Sequence, residues 1–165
     1  MPKTLYLIRH SYAEHPGSKP DKERVLTAEG LNTVRALGRY LLKSSFNPTL
    51  VLSSSAVRTR ETAIHLAEEI EMKEQHITYK DSIYNASVRE LLQEVNAVVG
   101  GTKEVALIGH NPSITYFAEY LTGESIGNME PSSLVTIRFD NLEWGEISQN
   151  SGSLQSHFHP KHLNV

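Results

Sequence analysis

Three short apolar runs in this chain end in residues that can do chemistry. Leu5-Tyr6-Leu7-Ile8 leads into Arg9-His10. Leu50-Val51-Leu52 leads into Ser53-Ser54-Ser55-Ala56-Val57-Arg58. Val105-Ala106-Leu107-Ile108-Gly109 leads into His110-Asn111. A guanidinium stays charged and bonds in a fork, and a neutral imidazole nitrogen is a nucleophile. Together they suit a tetrahedral oxyanion such as phosphate.

The elements that carry these residues follow from pattern. A short apolar run reads as a strand buried on both faces. Helical spacing follows each run. Thr27 caps a helix with Leu31, Val34, Leu37, Leu41 and Leu42 on one face, ended near Ser44-Ser45 and Asn47-Pro48. A second helix is predicted from about Ala56 to Ile70, with one of the serines as its cap. His76–Tyr79 is a weak strand, and Ser87–Val99 a helix stopped by Gly100-Gly101. Asn111 suits an N-cap and Pro112 a first helical position for a helix to about Leu121. Leu134–Phe139 alternates with period two, and Trp144–Ile147 is expected to pair with it across Asp140-Asn141. The rest, from about Ser148, is a polar tail holding His157, His159 and His162.

Alternating strands and helices imply right-handed crossovers and a mainly parallel sheet. The predicted fold is α/β: three α/β/α layers, helices on both faces, and an antiparallel edge hairpin. Ligands bind at the carboxyl ends of strands in such sheets. All three polar strand ends fall on that edge, so two arginines, two histidines and two helix N-termini converge there. Helix N-termini add amide donors and partial positive charge. The product is an anion pocket with a nucleophile in it.

Composition narrows the class. The 165 residues fit one domain, and 39% are hydrophobic, a globular balance. Net charge is -3, so nucleic acid is not an expected partner and any anion site must be local. There is no cysteine, which removes disulfides, thiolate metal sites and cysteine nucleophiles. No apolar run reaches membrane-spanning length. A cytoplasmic protein with no membrane partner is expected. No Walker or Rossmann loop and no Gly-x-Ser-x-Gly elbow is present. The histidines of the tail could ligate a metal, but a polar tail is the simpler reading, and no metal or other cofactor is expected.

The Arg9-His10 dipeptide resembles the start of the Arg-His-Gly signature of the histidine phosphatase superfamily, with Ser11 in place of glycine. Ser53 to Ala63 is similar to that family's Ser-Ser-Pro-x-x-Arg-x-x-x-Thr-Ala segment, with Ser55 for proline. Arg24-Val25-Leu26-Thr27-Ala28-Glu29-Gly30 resembles its Arg-x-Leu-Thr-x-x-Gly segment, and Leu107 to Pro112 the segment with its second histidine. The likeness spans about Leu5 to Gly123. Length and the Gly-His-Asn-Pro form point to the SixA-type phosphohistidine phosphatases.

The resemblance implies that residues 1–165 form a single phosphatase domain working through a phosphohistidine intermediate. His10 would be the nucleophile. Arg9 and Arg58 would clamp the phosphoryl oxygens, and His110 would donate to them. Ser11 and Asn111 would contact substrate. Nearby cations should keep His10 neutral. A general acid is not evident; Glu14, Asp81 and Glu90 are the candidates. An imidazole leaving group has a reference pKa of about 6.5, so a phosphohistidine substrate depends little on an acid. The expected partner is therefore a phosphorylated substrate, in first place a phosphohistidine-bearing signalling protein. The alternatives are a small-molecule phosphomonoesterase of the same superfamily and a non-catalytic phosphate-binding module.

Overall fold

The computed structural model describes residues 1–17 and 19–163. The strands are β1 (Lys3–Arg9), β2 (Leu50–Ser54), β3 (Ile77–Lys80), β4 (Glu104–Gly109), β5 (Leu134–Phe139) and β6 (Ser153–Phe158). The helices are α1 (Ala28–Leu42), α2 (Val57–Glu69), α3 (Val88–Asn96) and α4 (Ser113–Thr122). They form one sheet in the order β3-β2-β4-β1-β5-β6. The first four strands in that order run parallel; β5 and β6 are antiparallel additions.

The period of two along β1 divides its side chains between two cores. Leu5 and Leu7 join Leu107, Phe117 and Leu121 on the α3/α4 face. Tyr6 and Ile8 join Val34, Leu37, Leu66 and Ile108 on the α1/α2 face. Leu5, Leu7 and Ile8 are wholly buried, each worth about 1.5–3 kcal/mol of transfer free energy. This two-sided burial explains the near-continuous apolar run of β1, and it fixes where the run must stop.

Register then sets the site. Arg9 lies opposite Gly109, and the His10 amide donates to the Gly109 carbonyl at 3.1 Å. Ser53 lies opposite Ile108. β1, β2 and β4 are adjacent and parallel, so Arg9-His10, the serine run and His110 emerge side by side.

Three expectations need correction. Trp144–Glu146 is a 3-10 turn, not a strand, and β6 takes its place beside β5. Trp144 and Ile147 are three apart and both buried, which is turn spacing; Trp144 Nε1 donates to the Thr102 carbonyl at 2.7 Å. The polar stretch after Ser148 is therefore not a loose tail. It contains β6, and His159 is buried with Nε2 donating to the Pro131 carbonyl at 2.9 Å. The cap of α2 is Ala56 rather than a serine. Ser54 Oγ instead accepts from the Ala56 amide at 3.2 Å. Thr27 and Ser87 cap α1 and α3 as their sequence suggests. No helix among the described residues is long and apolar enough to cross a membrane.

Candidate active site

A cleft of about 410 Å³ opens at the carboxyl ends of β1, β2 and β4. Arg9, His10, Arg58, His110 and Asn111 all line it.

His10 is oriented by its own main chain. Its Nδ1 lies 2.7 Å from the Ser11 carbonyl oxygen. A carbonyl only accepts, so Nδ1 carries the proton and Nε2 keeps its lone pair. Burial pushes the His10 pKa down to about 3, and His110, Arg58 and Arg9 push the same way against the Ser11 bond. Desolvation outweighs the cations that the sequence had suggested. The imidazole is neutral throughout the physiological range.

The segment after His10 is bolted down from two sides. The Ser11 amide donates to Thr62 Oγ1 on α2 at 3.0 Å. Ser11 Oγ donates to the Gly30 carbonyl on α1 at 2.7 Å. Gly30 is required here, because a Cβ would sit 2.1 Å from the Tyr12 carbonyl oxygen. This glycine is what lets α1 approach the loop.

His110 and the two arginines complete the cleft. His110 Nε2 is 2.8 Å from Ser54 Oγ, and its Nδ1 is buried without a partner. Burial, then Arg58, lowers its pKa to about 4. The His10 and His110 rings are 5.3 Å apart. Arg9 Nη1 donates to the Met129 carbonyl at 3.0 Å. The Nε atoms of both Arg9 and Arg58 are buried and unpartnered. Six buried side-chain polar atoms lack partners among the described residues, and three of them belong to this cleft. Such groups are costly unless something satisfies them. Two arginines and two histidines lining one space suit an oxyanion. No group of three or more metal-binding side chains occurs among the described residues.

Residues 5–82 match the model of the histidine phosphatase superfamily, branch 1. The matched stretch holds Arg9, His10 and Arg58 of the cleft. The match supports a phosphatase-type hydrolase. Among solved structures it is similar to a candidate phosphohistidine phosphatase SixA from Nakamurella multipartitia, with 25% identity, a TM-score of 0.81 and 97% of each chain covered. It also shares the fold of the protein histidine phosphatase SixA complexed with tungstate, at 19% identity, a TM-score of 0.83, and 97% and 99% of the two chains covered. An uncharacterized protein of Mycobacterium tuberculosis is 22% identical over 89% of this chain and 96% of its own.

Not every candidate residue lies in the cleft. Ser11 is fully buried and serves the main chain behind His10 rather than facing substrate. Glu14 accepts from the Val25 amide and pairs with Lys19. Asp81 is taken by Ser55 and Lys22. Glu90 closes the capping box of α3 with Ser87. None of these three carboxylates lines the cleft. Each is satisfied by donors outside the cleft. Asn111 reaches the cleft but does not cap α4. Its amide donates to the Met129 carbonyl at 2.8 Å and its oxygen accepts from Thr115 Oγ1 at 2.7 Å.

The carboxylate that does line the cleft is Asp21. Tyr12, Arg24 and Asn85 join it. Sequence reasoning missed Asp21 because its partners are Arg58 and Tyr84, far along the chain. The one local signal is Pro20 ahead of Asp-Lys-Glu, which forms a short 3-10 turn.

Proposed function

We propose that this enzyme hydrolyses protein phosphohistidine by transferring the phosphoryl group to Nε2 of His10. The observation that carries the reading is the pairing of a free, neutral nucleophile with a cleft that holds no proton donor of the carboxylic acid kind. Asp21 is pushed down to about 2, by the hydrogen bond from Tyr84 first and Arg58 next. It is a carboxylate at any physiological pH and has no proton to give. An alcohol leaving group needs one; an imidazole, with a reference pKa of about 6.5, leaves without such help.

In the first step the Nε2 lone pair forms a bond to phosphorus, and the bond from phosphorus to the substrate imidazole breaks opposite it. The departing ring, its other nitrogen having taken a proton from solvent, keeps that electron pair and leaves as neutral imidazole. Arg9 and Arg58 hold the transferring oxygens, where positioning and charge supply most of the rate. Ser54 Oγ accepts the Ala56 amide, so its own hydrogen can go to His110 Nε2. The His110 proton then sits on Nδ1 and is offered to the phosphoryl group. In the second step water attacks phosphorus, the bond to His10 Nε2 breaks, and inorganic phosphate leaves. The description of similar structures as phosphohistidine phosphatases favours the same substrate class.

The test compares wild type and His10→Ala on a phosphohistidine peptide and on an alkyl phosphate, with chelator present. Wild type should cleave the peptide far faster than the alkyl ester, and the variant neither. Comparable rates on both substrates would replace this reading with a phosphomonoesterase. Phosphate binding without turnover would replace it with a binding module.

A further inference from the structure

Arg58 enters the cleft from α2, with only 5% of its surface exposed. The terminal edge of its guanidinium is held by one residue, 37 positions earlier. Nη1 donates to the Asp21 carbonyl oxygen at 2.7 Å, and Nη2 donates to Asp21 Oδ2 at 3.0 Å. Asp21 is itself held from two other directions. Tyr84 Oη donates to Oδ2 at 2.7 Å, and Arg24 Nε donates to Oδ1 at 3.1 Å. Arg24 in turn donates through Nη1 to the Glu14 carbonyl, which ties the loop to the same point.

A guanidinium is a rigid plane with five N–H donors in a fixed fork. Fixing the terminal edge therefore fixes the direction of the Nε edge. Arg58 Nε is the guanidinium nitrogen without a partner among the described residues.

We propose that Asp21 is the positioning residue for Arg58: it grips the terminal edge of the guanidinium and so aims the Nε edge at the phosphoryl oxygens. This rests on Arg58 binding the phosphoryl group as proposed above. Asp21 acts through Arg58 and does not touch substrate. Three side chains donate to its two carboxylate oxygens, so it works as an acceptor. The arrangement also explains why Asp21 lies in the cleft without filling the place of a general acid. The same two oxygens link Tyr84, Arg24 and Arg58, so one carboxylate sets the shape of this wall of the cleft.

Kinetics of Asp21→Asn and Asp21→Ala on p-nitrophenyl phosphate, phenyl phosphate and a phosphohistidine peptide test this. Asp21→Ala should lower kcat/KM about 100-fold, the scale of a misplaced binding group. Asp21→Asn keeps the main-chain acceptor and a neutral side-chain acceptor, and should lose about 10-fold. The factor should be the same for all three leaving groups. In an Arg58→Ala background, Asp21→Ala should change kcat/KM by less than about twofold, because the group it positions is gone. A loss that grows as the leaving group worsens would make Asp21 a proton donor and overturn the proposal. So would an undiminished loss in the Arg58→Ala background, or wild-type rates in Asp21→Ala. Where circular dichroism shows that Asp21→Ala does not fold, Asp21→Asn carries the same comparisons. An Arg58→Ala variant with wild-type activity would instead overturn the role given to Arg58 in the reaction; an impaired Arg58→Ala beside an unimpaired Asp21→Ala would overturn the positioning alone.

Discussion

At the amino ends of β2 and β3 lies a cavity of about 760 Å³, lined by Phe46, Pro48, Ile70 and Met72 among others. At the carboxyl ends of β1, β2 and β4 lies a smaller one of about 410 Å³. Asn47, which lines the larger space, has its amide answered from behind the wall. Tyr6 Oη donates to Glu104 Oε1, and the Asn47 amide donates to the same oxygen. The smaller space is lined by Arg9, Arg58 and His110, and no described residue answers Arg9 Nε, Arg58 Nε or His110 Nδ1. Volume is therefore a poor guide here, and unanswered donors are a good one. The difference follows from topology, since a parallel sheet sends the ends of consecutive strands, and the helix starts after them, to one side.

The widest gap between the two ends should be kinetic. His10→Ala should lower turnover of an aryl phosphate by about 10³-fold or more, with the circular dichroism spectrum unchanged. An equal loss from Met72→Ala would erase the distinction between the ends. Arg9→Lys keeps the charge but loses the fork, and should reduce kcat/KM by about 10²-fold.

Acidity should separate the ends next. His10 and His110 have pKa values of about 3 and about 4 in the fold, against 6.5 ordinarily. Between pH 6.5 and those values the unfolded chain binds protons that the native chain refuses. Stability contributed by these two histidines is thus full above pH 6.5 and falls as pH drops toward 4. Thermal melts should show Tm falling by on the order of 10 °C between pH 6.5 and 4.5, and less steeply in a His10→Asn, His110→Asn double variant. A parallel decline in both proteins would place the acid sensitivity elsewhere. The acid limb of kcat/KM should lie below pH 5, because that profile reports the free enzyme.

Gly30→Ala sharpens the comparison through structure. Its Cβ meets the Tyr12 carbonyl oxygen, so about 1–3 kcal/mol should be lost in denaturant unfolding, with activity falling alongside. The smallest effect belongs to the larger cavity. Phe46→Ala should lower Tm, since Phe46 packs at a tilt against Tyr6 with 4.5 Å between ring centroids, yet leave kcat/KM within about twofold.

The division between what the chain shows and what it hides follows the range of the interactions. β1 and β4 were plain because two-sided burial demands an unbroken apolar run, and β1 to β4 all appeared as strands. β6 was hidden because it is an edge strand with mostly exposed side chains and no pattern to betray it. Arg9, His10, Arg58 and His110 were legible as strand-end residues, and the sheet brings all four to one cleft. Asp21 was not, because its meaning depends on Arg58 and Tyr84. Glu90 could have been set aside from sequence, since Ser87-x-x-Glu90 is the pattern of a capping box. Glu14 and Asp81 could not, because Val25, Lys22 and Ser55 reach them only through tertiary approach. Asn111 read as a cap because its position before Pro112 suits one; the loop around Met129 claims its amide instead.

The bond from His10 Nδ1 to the Ser11 carbonyl has a consequence for regiochemistry. An imidazole can be phosphorylated on either ring nitrogen, giving two positional isomers that differ in shape and lability. Here one nitrogen is committed to the main chain of the very next residue, so no side-chain substitution can release it. On the proposed mechanism the covalent adduct is therefore a single isomer, with phosphorus on Nε2. Phosphorus NMR of the trapped protein would show one resonance of that isomer and none of the other.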